Sequence, residues 1–435
     1  MNHTKGLCSS PTRYDFPNTY RKSVLNNGVR VVTERIPYLQ SVSLGIWVRS
    51  GSRFERPEVN GICHFIEHML FKGTNRRSAL SIAKEIDSVG GVMNAFTSKE
   101  VTAFYCKVLS EHCELAVDLL TDIFLDSSFP EDEIEREKQV VYQEISQLED
   151  CPEDLVHEIL GIRFWKDDPL GQPILGTIDN IERLDRSTMM QFKLDNYTPE
   201  EIVVCAVGDV DHDCITNLFE KQMNRLNVTG SRVCAIPPAT EASAHVIAKD
   251  LEQVHVCIGT IGPSAADRRR QAGYVLNAIL GSGMSSRLFQ EVREKRGLAY
   301  SVYSFLSSFS DTGMFGIYAA CEAARLEELM ETIGKETKGL ASSLTEEEIC
   351  TAKNYIRGSI ILAMESSDAR MNRLTKGEYF FGRYVSVDEI LDALEAVTLA
   401  ELRQLCDEMF NSNRFSVVAL GPAPEDTDLF GLLGL

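Results

Sequence analysis

Three stretches of this sequence recur at a nearly constant offset, and a repeat of this kind limits the chain to folds built from two like units. The paired stretches are 42–48 with 254–259, a strand-to-helix segment from Phe104 with one from Phe315, and a strand ending at Gly208 with one ending at Gly421. Similar offsets across so much of the chain indicate a duplication. The 435 residues suffice for two to three ordinary domains, so we predict two copies of one α+β unit.

Local patterns in the first copy predict alternating strands and helices. A hairpin is predicted at 24–34, with its turn at Asn26-Asn27-Gly28, and further strands at 42–48, 102–109 and 202–208. Helices are predicted at 78–89, 111–124, 130–150, 152–164 and 179–195. Residues 227–243 contain Gly230, Pro237 and Pro238 and show no clear period. They are the predicted linker between halves 1–226 and 244–435.

Residues 61–74, GICHFIEHMLFKGT, are predicted to form an amphipathic helix with two histidines on one face. His64 and His68 are four residues apart, so their side chains can converge on one ion, and Glu67 projects beside them. This order, H-x-x-E-H, is the inverzincin signature, and zinc fits two imidazoles, a carboxylate and a water. The pattern also arises by chance in proteins without a metal. The chain has only 8 histidines, however, and two fall here at ligand spacing.

The second copy acts as an internal control for this motif. The shift that carries Val42 to Val254 carries 64–68 to 276–280, LNAIL, which has the same apolar character and no metal ligand. The repeated unit therefore does not need histidines at these positions for packing, and this favours a site in the first copy.

A catalytic zinc site needs a third protein ligand, and the acidic helix predicted at 130–150 offers several. Glu144 lies well beyond His68 in the chain, and Glu137 precedes Glu144 by seven residues. Seven residues are nearly two helical turns, so these two carboxylates share a face about 10 Å apart, and only one can contact the metal. Spacing alone does not choose between them, and Glu133 and Glu135 are candidates too.

Charge and composition exclude several classes of protein. The formal charge of −20 argues against nucleic acid as a partner, because phosphate binding requires a basic face. No apolar run is long enough to cross a bilayer, so no membrane span is predicted. The 12 cysteines form no C-x-x-C pair, which suggests small buried thiols in a reducing compartment. Residues 1–17 resemble neither a secretory signal nor a good transit sequence. A bacterial cytoplasmic location is expected, with the mitochondrial matrix as the alternative.

The motif in its context, G-x-x-H-F-x-E-H-M-x-F-K-G-T, resembles the pitrilysin-type metallopeptidases, the family of insulin-degrading enzyme and mitochondrial processing peptidase. The resemblance covers essentially the whole chain, including the duplication. Within the family, the chain resembles the short-chain branch, which includes bacterial processing-type peptidases and the beta subunit of mitochondrial processing peptidase. It implies that Glu144 is the third zinc ligand and that Glu137 supports the site. It also implies that Asn94, Ala95 and Phe96 form a sheet edge that pairs with the substrate backbone.

A second stretch, 285–301 (SSRLFQEVREKRGLAYS), is similar to the family's other characteristic segment. The resemblance implies that Arg293 and Tyr300 reach across a chamber to the substrate near the zinc. No metal-ligand position departs from the family pattern, which argues against an inactive relative.

The resemblance implies a zinc endopeptidase of two homologous α+β halves, each a mainly antiparallel sheet with helices on one face, enclosing a substrate chamber. Glu67 is the expected general base, with Tyr300 donating to the oxyanion and Arg293 gripping a substrate carbonyl. The expected partners are peptide substrates and a second subunit, in a homodimer or in a heterodimer with a related chain. Two alternatives remain: a presequence-processing catalytic subunit that needs its partner, and a non-catalytic structural relative.

Overall fold

Two β-sheets, one in each half of the chain, form the framework of the protein. The computed structural model describes residues 19–226, 236–410 and 414–435. The strands of the first half are β1 (Tyr20–Val24), β2 (Arg30–Arg35), β3 (Ser41–Val48), β4 (Val92–Thr97), β5 (Thr102–Leu109) and β6 (Ile202–Gly208). Those of the second half are β7 (Ser243–Ala248), β8 (Val254–Ile261), β9 (Ala299–Ser308), β10 (Gly313–Cys321) and β11 (Ser416–Gly421).

The strand order confirms the predicted duplication. The spatial orders are β1-β2-β6-β3-β5-β4 and β7-β11-β8-β10-β9, and they coincide once β1 is set aside. In each sheet one neighbouring pair is parallel, β2 with β6 and β7 with β11, and the other pairs are antiparallel. The predicted hairpin at 24–34 is also confirmed, because β1 and β2 pair directly.

The register corrects one of the predicted correspondences between the copies. Ile46 of β3 pairs with Phe104, and Ile258, its counterpart in β8, pairs with Ile317. Phe104 therefore corresponds to Ile317 rather than to the predicted Phe315. A slip of two residues returns every side chain to the same face of the sheet. The apolar pattern thus does not distinguish the two alignments.

Helices pack against these sheets and connect their strands. Those of the first half are α1 (Ile62–Leu70), α2 (Ala79–Ser88), α3 (Cys113–Asp126), α4 (Glu131–Asp150), α5 (Pro152–Phe164), α6 (Ile178–Arg183), α7 (Arg186–Asn196) and α8 (His212–Met223). Those of the second half are α9 (Arg270–Leu280), α10 (Leu326–Ser343), α11 (Glu346–Ala363), α12 (Ser367–Phe381), α13 (Val387–Glu395), α14 (Leu399–Phe410) and α15 (Leu429–Leu433).

Two predicted helices differ from those observed. The single helix predicted at 179–195 is wrong, because α6 ends at Arg183 and the Asp185 side chain accepts from the Thr188 N–H to begin α7. The helix predicted over 61–74 ends at Leu70, and Gly73 follows with φ +123°. In both places a local cap or turn ends the helix, although the apolar periodicity of the sequence continues beyond that point.

Each half presents one helix to the sheet of the other half. Apolar side chains of α5, among them Val156 and Leu160, pack with Tyr318 and Val418 on the second sheet. In the opposite direction, α12 packs on the first sheet against Trp47 and its neighbours. The predicted layer of helices thus covers one face of each sheet, and an exchanged helix covers part of the other face. Because this exchange is reciprocal, separating the halves exposes two apolar cores.

A buried group of charges also joins the halves. The Arg53 guanidinium lies 2.7 Å from Glu100 Oε1 and 2.7 Å from Asp311 Oδ1, and its side chain is 2% exposed. Asp311 belongs to the β9–β10 hairpin of the second half, whose Ser310 N–H and hydroxyl donate to Glu100. Each of these buried charges therefore has a partner of opposite sign or a hydrogen-bond donor.

The remaining sequence predictions about chain organisation have mixed outcomes. Residues 1–17 and most of the predicted linker, 227–235, lie outside the described residues. The 10 cysteines within the described part of the chain are all free, and six of them are buried, as predicted. The prediction of buried thiols is wrong for Cys214, which is exposed, and Cys113, Cys151 and Cys350 are only partly buried. Among the described helices, none is both long enough and apolar enough to cross a membrane.

Replacing Arg53 by Ala is expected to destabilise the protein by about 3–5 kcal/mol, because Glu100 would keep a buried charge without its partner. The measurement is the midpoint of denaturant unfolding followed by circular dichroism. Arg21→Ala is the matched control, since the Arg21–Asp213 ion pair is exposed at 54% and 67% and should leave the midpoint unchanged. Equal midpoints for the two variants would contradict a structural role for the buried group.

Candidate metal centre

A buried carboxylate fixes the start of α1. Glu55 is 3% exposed and accepts from the backbone N–H groups of Gly61 and Cys63 and from the Asn60 amide. These donors include N–H groups that a helix amino terminus leaves without an intrahelical partner. Gly61 has φ +97°, and a Cβ there would lie 2.8 Å from the Leu175 carbonyl oxygen. Only glycine fits this position, so the G-x-x-H spacing follows from the local backbone.

Helix α4 packs against α1 and brings three predicted ligands together. His64 Nε2 lies 3.5 Å from Glu144 Oε2, and His68 Nε2 lies 3.6 Å from Glu144 Oε1. One ligand atom from each of the three residues lies within 4.8 Å of the others, and all three side chains are partly buried. We call His64, His68 and Glu144 the metal cluster. Of the acidic residues that the sequence left open, Glu144 is the one that the structure places beside both histidines.

The geometry of the metal cluster fits zinc. Ligand atoms at 2.0–2.2 Å from a tetrahedral zinc are roughly 3.3–3.6 Å apart. Each histidine lies at such a distance from one oxygen of Glu144, His64 from Oε2 and His68 from Oε1. Within the described structure, the buried Oε2 of Glu144 accepts no hydrogen bond, so it is available as a ligand. Two imidazoles and one carboxylate are also a usual protein ligand set for catalytic zinc, with one position left open. Zinc is the cofactor that this cluster fits.

Glu137 contacts the metal cluster through the His68 ring nitrogen that faces away from Glu144. His68 Nδ1–H donates to Glu137 Oε2 at 3.0 Å, and the Lys72 ammonium pairs with Glu137 Oε1. A hydrogen bond on one ring nitrogen orients the imidazole and leaves the other nitrogen for a metal. Burial opposes ionisation of Glu137, but the donors His68 and Lys72 outweigh it and hold its pKa below the usual value. Glu133 and Glu135, the other candidates, pair instead with Arg136 and Lys138 of their own helix.

The surroundings shift the pKa values of the two imidazoles in opposite directions. Burial, together with the nearby His68, lowers the pKa of His64 to about 4, so its ring is neutral and able to bind a metal at neutral pH. Burial also lowers the pKa of His68, but the Glu137 hydrogen bond and the carboxylate of Glu144 outweigh it and raise the pKa overall.

Glu67 lies beside the metal cluster and is held by the neighbouring strand. The Thr97 hydroxyl donates to Glu67 Oε2 at 2.6 Å, and Thr97 is the last residue of β4. Burial raises the pKa of Glu67, and the Thr97 hydrogen bond partly opposes this shift. Glu67 is therefore a fixed carboxylate next to the ligands, with an increased proton affinity.

The predicted substrate segment forms the free border of the first sheet. Asn94, Ala95 and Phe96 lie in β4, which pairs with β5 on one side and is the last strand of its sheet. The Asn94 side chain accepts from the Ala95 N–H at 2.8 Å. Phe96 is 37% exposed. The segment is thus a sheet edge, and substrate pairing there stays a prediction.

Arg293 and Tyr300 meet each other in the second half. The Arg293 guanidinium lies 4.1 Å from the centre of the Tyr300 ring and donates to the Tyr300 carbonyl oxygen at 3.1 Å. Tyr300 is 79% exposed. Among the described residues, no hydrogen bond or ion pair joins either residue to the metal cluster. Their role at the substrate stays a prediction.

The corresponding region of the second half is an apolar core. Leu276, Ile279 and Leu280 of α9, the counterparts of His64, Glu67 and His68 in the repeat, are buried. These positions carry no metal-ligating side chain, as the comparison of the two copies in the sequence had indicated.

Comparison with known proteins agrees with this fold and site. A protease from Helicobacter pylori superposes with a TM-score of 0.85 at 23% identity, covering 93% of this chain and 99% of the other. A structure described as a peptidase M16 inactive domain, from Pseudomonas fluorescens, gives a TM-score of 0.88 at 20% identity, covering 94% and 99%. At these identities the likeness establishes the shared fold of two α+β halves.

Sequence relatives identify the family. The family description "Insulinase (Peptidase family M16)" matches residues 30–178, and "Peptidase M16 inactive domain" matches residues 183–356. The chain is 40% identical to uncharacterized zinc protease YmxG of Bacillus subtilis over 93% of its length and 98% of the relative's. It is 39% identical to an uncharacterized zinc protease of Streptomyces coelicolor, covering 93% and 90%. The chain belongs to peptidase family M16, which confirms the resemblance to the pitrilysin type.

Sequence reasoning missed three residues that shape the site: Glu55, Lys72 and Thr97. Lys72 follows the motif closely, and a cation one turn after His68 could have suggested a partner for a supporting carboxylate. Glu55 precedes the glycine of the motif and could have been read as an acid near a helix amino terminus. Thr97 gave no signal, because only the packing of β4 beside α1 brings it to Glu67.

Acid-to-amide variants on α4 are expected to separate the roles of its carboxylates in zinc binding. Glu144→Gln should abolish tight binding because it removes a ligand. Glu137→Gln should weaken binding by about 10–100-fold because His68 loses its orienting partner. Glu135→Gln, on an exposed side chain of the same helix, is the control and should bind zinc like the unaltered protein. Competition with a chelating dye measures the affinities. Normal binding by Glu144→Gln would show that another group is the third ligand.

Proposed function

We propose that this protein is a zinc-dependent endopeptidase that cleaves peptides or unfolded segments bound in extended form. The observation that carries the proposal is the metal cluster with Glu67 fixed beside it by Thr97. The names of the relatives, zinc proteases, support the same reaction class. An intact ligand set with a neighbouring carboxylate argues against the non-catalytic alternative.

Glu67 is the proposed general base. The chemistry that zinc supplies when bound is a lowered pKa for a water, towards about 7, and polarisation of the scissile carbonyl. Glu67 accepts the proton of the attacking water and returns it to the nitrogen of the leaving amine. Its raised pKa, caused by burial, favours the first of these transfers. Glu137 keeps His68 oriented throughout.

The substrate is proposed to add to the first sheet as an extended strand along Asn94, Ala95 and Phe96. Strand addition uses main-chain hydrogen bonds for affinity and pockets on alternate sides for selectivity. Arg293 and Tyr300 are proposed to contact the substrate, the tyrosine by donating to the oxyanion. Catalysis is thus assigned to half 1–226, with substrate contacts from half 244–435 across a chamber.

A pairing of subunits is also proposed, as a homodimer or with a related chain. The second candidate function is a presequence-processing subunit, and it differs from the first in requiring that partner for activity. The free cysteines and the bacterial origin of the relatives favour the bacterial cytoplasm over the mitochondrial matrix.

Glu67→Gln is expected to lower kcat/KM by at least about 100-fold while zinc stays bound, because a general base is removed and the ligands are untouched. The test digests a peptide mixture with the isolated chain in its zinc-loaded, chelated and Glu67→Gln forms, with mass spectrometry as readout. Zinc content is measured in parallel. The scheme fails if the zinc-loaded variant cleaves as well as the unaltered chain. Activity that appears only after a related subunit is added would select the processing-subunit candidate.

Thr97→Val is expected to lower kcat by about tenfold or more with zinc content unchanged, because Glu67 loses a hydrogen bond to its charged form worth roughly 1.5–3 kcal/mol. Thr97→Ser keeps the hydroxyl and should retain activity. Steady-state kinetics on one fluorogenic peptide separate kcat from KM. Equal kinetics for the valine and serine variants would remove Thr97 from the mechanism.

A further inference from the structure

A cavity of about 1020 Å³ lies between the two halves. The first half contributes Trp47 and Phe96 to its lining, and the second half contributes Tyr274 and Ile360. Sites that enclose drug-sized ligands measure about 300–1,000 Å³, so this cavity has room for more than one amino-acid side chain. Most of its lining is apolar, and we call it the inter-half cavity.

The inter-half cavity lies on the face of the first sheet opposite the metal centre. Phe96 of β4 pairs with Ala103, which also pairs with Trp47, so these three side chains form one row across the sheet. Ala103 and Trp47 pack in the core that faces α12. Thr97, the next residue of β4, faces Glu67. Consecutive residues of β4 thus alternate between the metal centre and the inter-half cavity.

A strand added beside β4 has the same alternation. Its side chains point in turn towards the metal face and towards the face of Phe96 and Trp47. Every second residue of a bound peptide therefore projects towards the Phe96 face, and those beside Phe96 lie at the inter-half cavity. This geometry connects the proposed cleavage site to the inter-half cavity.

The lining of the cavity is positively charged, whereas the whole protein is negatively charged. The chain carries a net charge of −20, yet four cations, Lys99, Arg270, Arg373 and Lys376, line the cavity with one acid, Glu100. Three of these groups are paired, Lys99 with Glu158, Arg373 with Glu34 and Glu100 with Arg53. Within the described part of the chain, Arg270 and Lys376 lie within ion-pair distance of no carboxylate, and the Arg270 guanidinium lies 4.6 Å from the Phe381 ring centre. Arg270 is also near Glu389, which does not line the cavity and whose pKa is lowered mainly by Arg383 and in part by Arg270.

We propose that the inter-half cavity is a specificity pocket for the substrate side chains that point away from the metal. It accepts large apolar residues, because its walls are apolar, and it rejects lysine and arginine, because Arg270 and Lys376 repel a third cation. This inference rests on the proposed function and adds its substrate class. Extended peptides with bulky apolar residues at alternate positions, and without basic residues there, are the preferred substrates.

The test uses internally quenched peptides with a fixed cleavage site and one position at a time changed to Phe, Gly, Glu or Lys. Ile360→Trp on α11 fills part of the cavity, and Leu362→Trp, two residues on and 69% exposed, is the matched control. At alternate positions, Ile360→Trp should lower kcat/KM for the Phe peptides by about tenfold and leave the Gly peptides unchanged. Leu362→Trp should change neither. Lys376→Glu, at an exposed position, should raise kcat/KM for the Lys peptides at those positions.

A binding measurement extends the test beyond turnover. The Kd of a labelled Phe peptide for zinc-loaded Glu67→Gln protein is measured by fluorescence anisotropy. It should be higher for the double variant with Ile360→Trp and unchanged for the double variant with Leu362→Trp. If cleavage depends on Glu67 but neither Ile360→Trp nor Lys376→Glu changes the preference, the pocket is overturned and the peptidase function stands. If the zinc-loaded chain cleaves none of the peptides, alone or with a related subunit, both are overturned.

Discussion

The Glu55 carboxylate is buried and accepts three hydrogen bonds, two of them from the first backbone N–H groups around the start of α1. Burial raises its pKa, and the donors stabilise the charged form against that penalty. A buried carboxylate without these donors would be costly, so any displacement of α1 along its axis is opposed. His64, Glu67 and His68 take their positions from this helix. The geometry of the metal cluster thus depends on an acid that contacts none of its ligands.

The second constraint is the contact between α1 and α4. Helix α4 carries many acids, and most of them are satisfied locally or exposed to water. Glu137 and Glu144, on the face towards α1, have different contacts because they lie at different positions along the axis of α4. Glu144 reaches both histidines, while Glu137 is paired with His68 and Lys72. One helix face therefore places one carboxylate beside both histidines and another beside His68 and Lys72.

The duplication explains how the metal cluster lies in only one of two similar halves among the residues that the structure describes. In the second copy, buried Leu276, Ile279 and Leu280 occupy the stretch where the first has its motif. Each copy lends a helix to the other, α5 to the second sheet and α12 to the first. The exchange holds the halves together while leaving part of the Phe96 face of the first sheet uncovered. The inter-half cavity lies over that uncovered part.

The sequence alone determined the features that depend on local periodicity and on residue type. These are the repeated α+β unit and the helix with His64 and His68. The sheet edge at Asn94, Ala95 and Phe96 was implied by the family resemblance and not by local periodicity. The sequence also limited the third ligand to the acids of one helix. Where local patterns were ambiguous, the predictions were wrong, as at the break between α6 and α7 and in the alignment of β10 with β5.

Tertiary structure decided the choices among equivalent candidates. Glu144, and neither Glu133 nor Glu135, lies beside the histidines because α4 packs with that face towards α1. The hydrogen bond from Thr97 to Glu67 follows from the position of β4 beside the same helix. The exchange of α5 and α12 likewise joins residues far apart in the chain. Hydrogen bonds and apolar contacts of this kind depend on distances in space, and the spacing of residues in a sequence determines distances only within a helix turn or a strand pair.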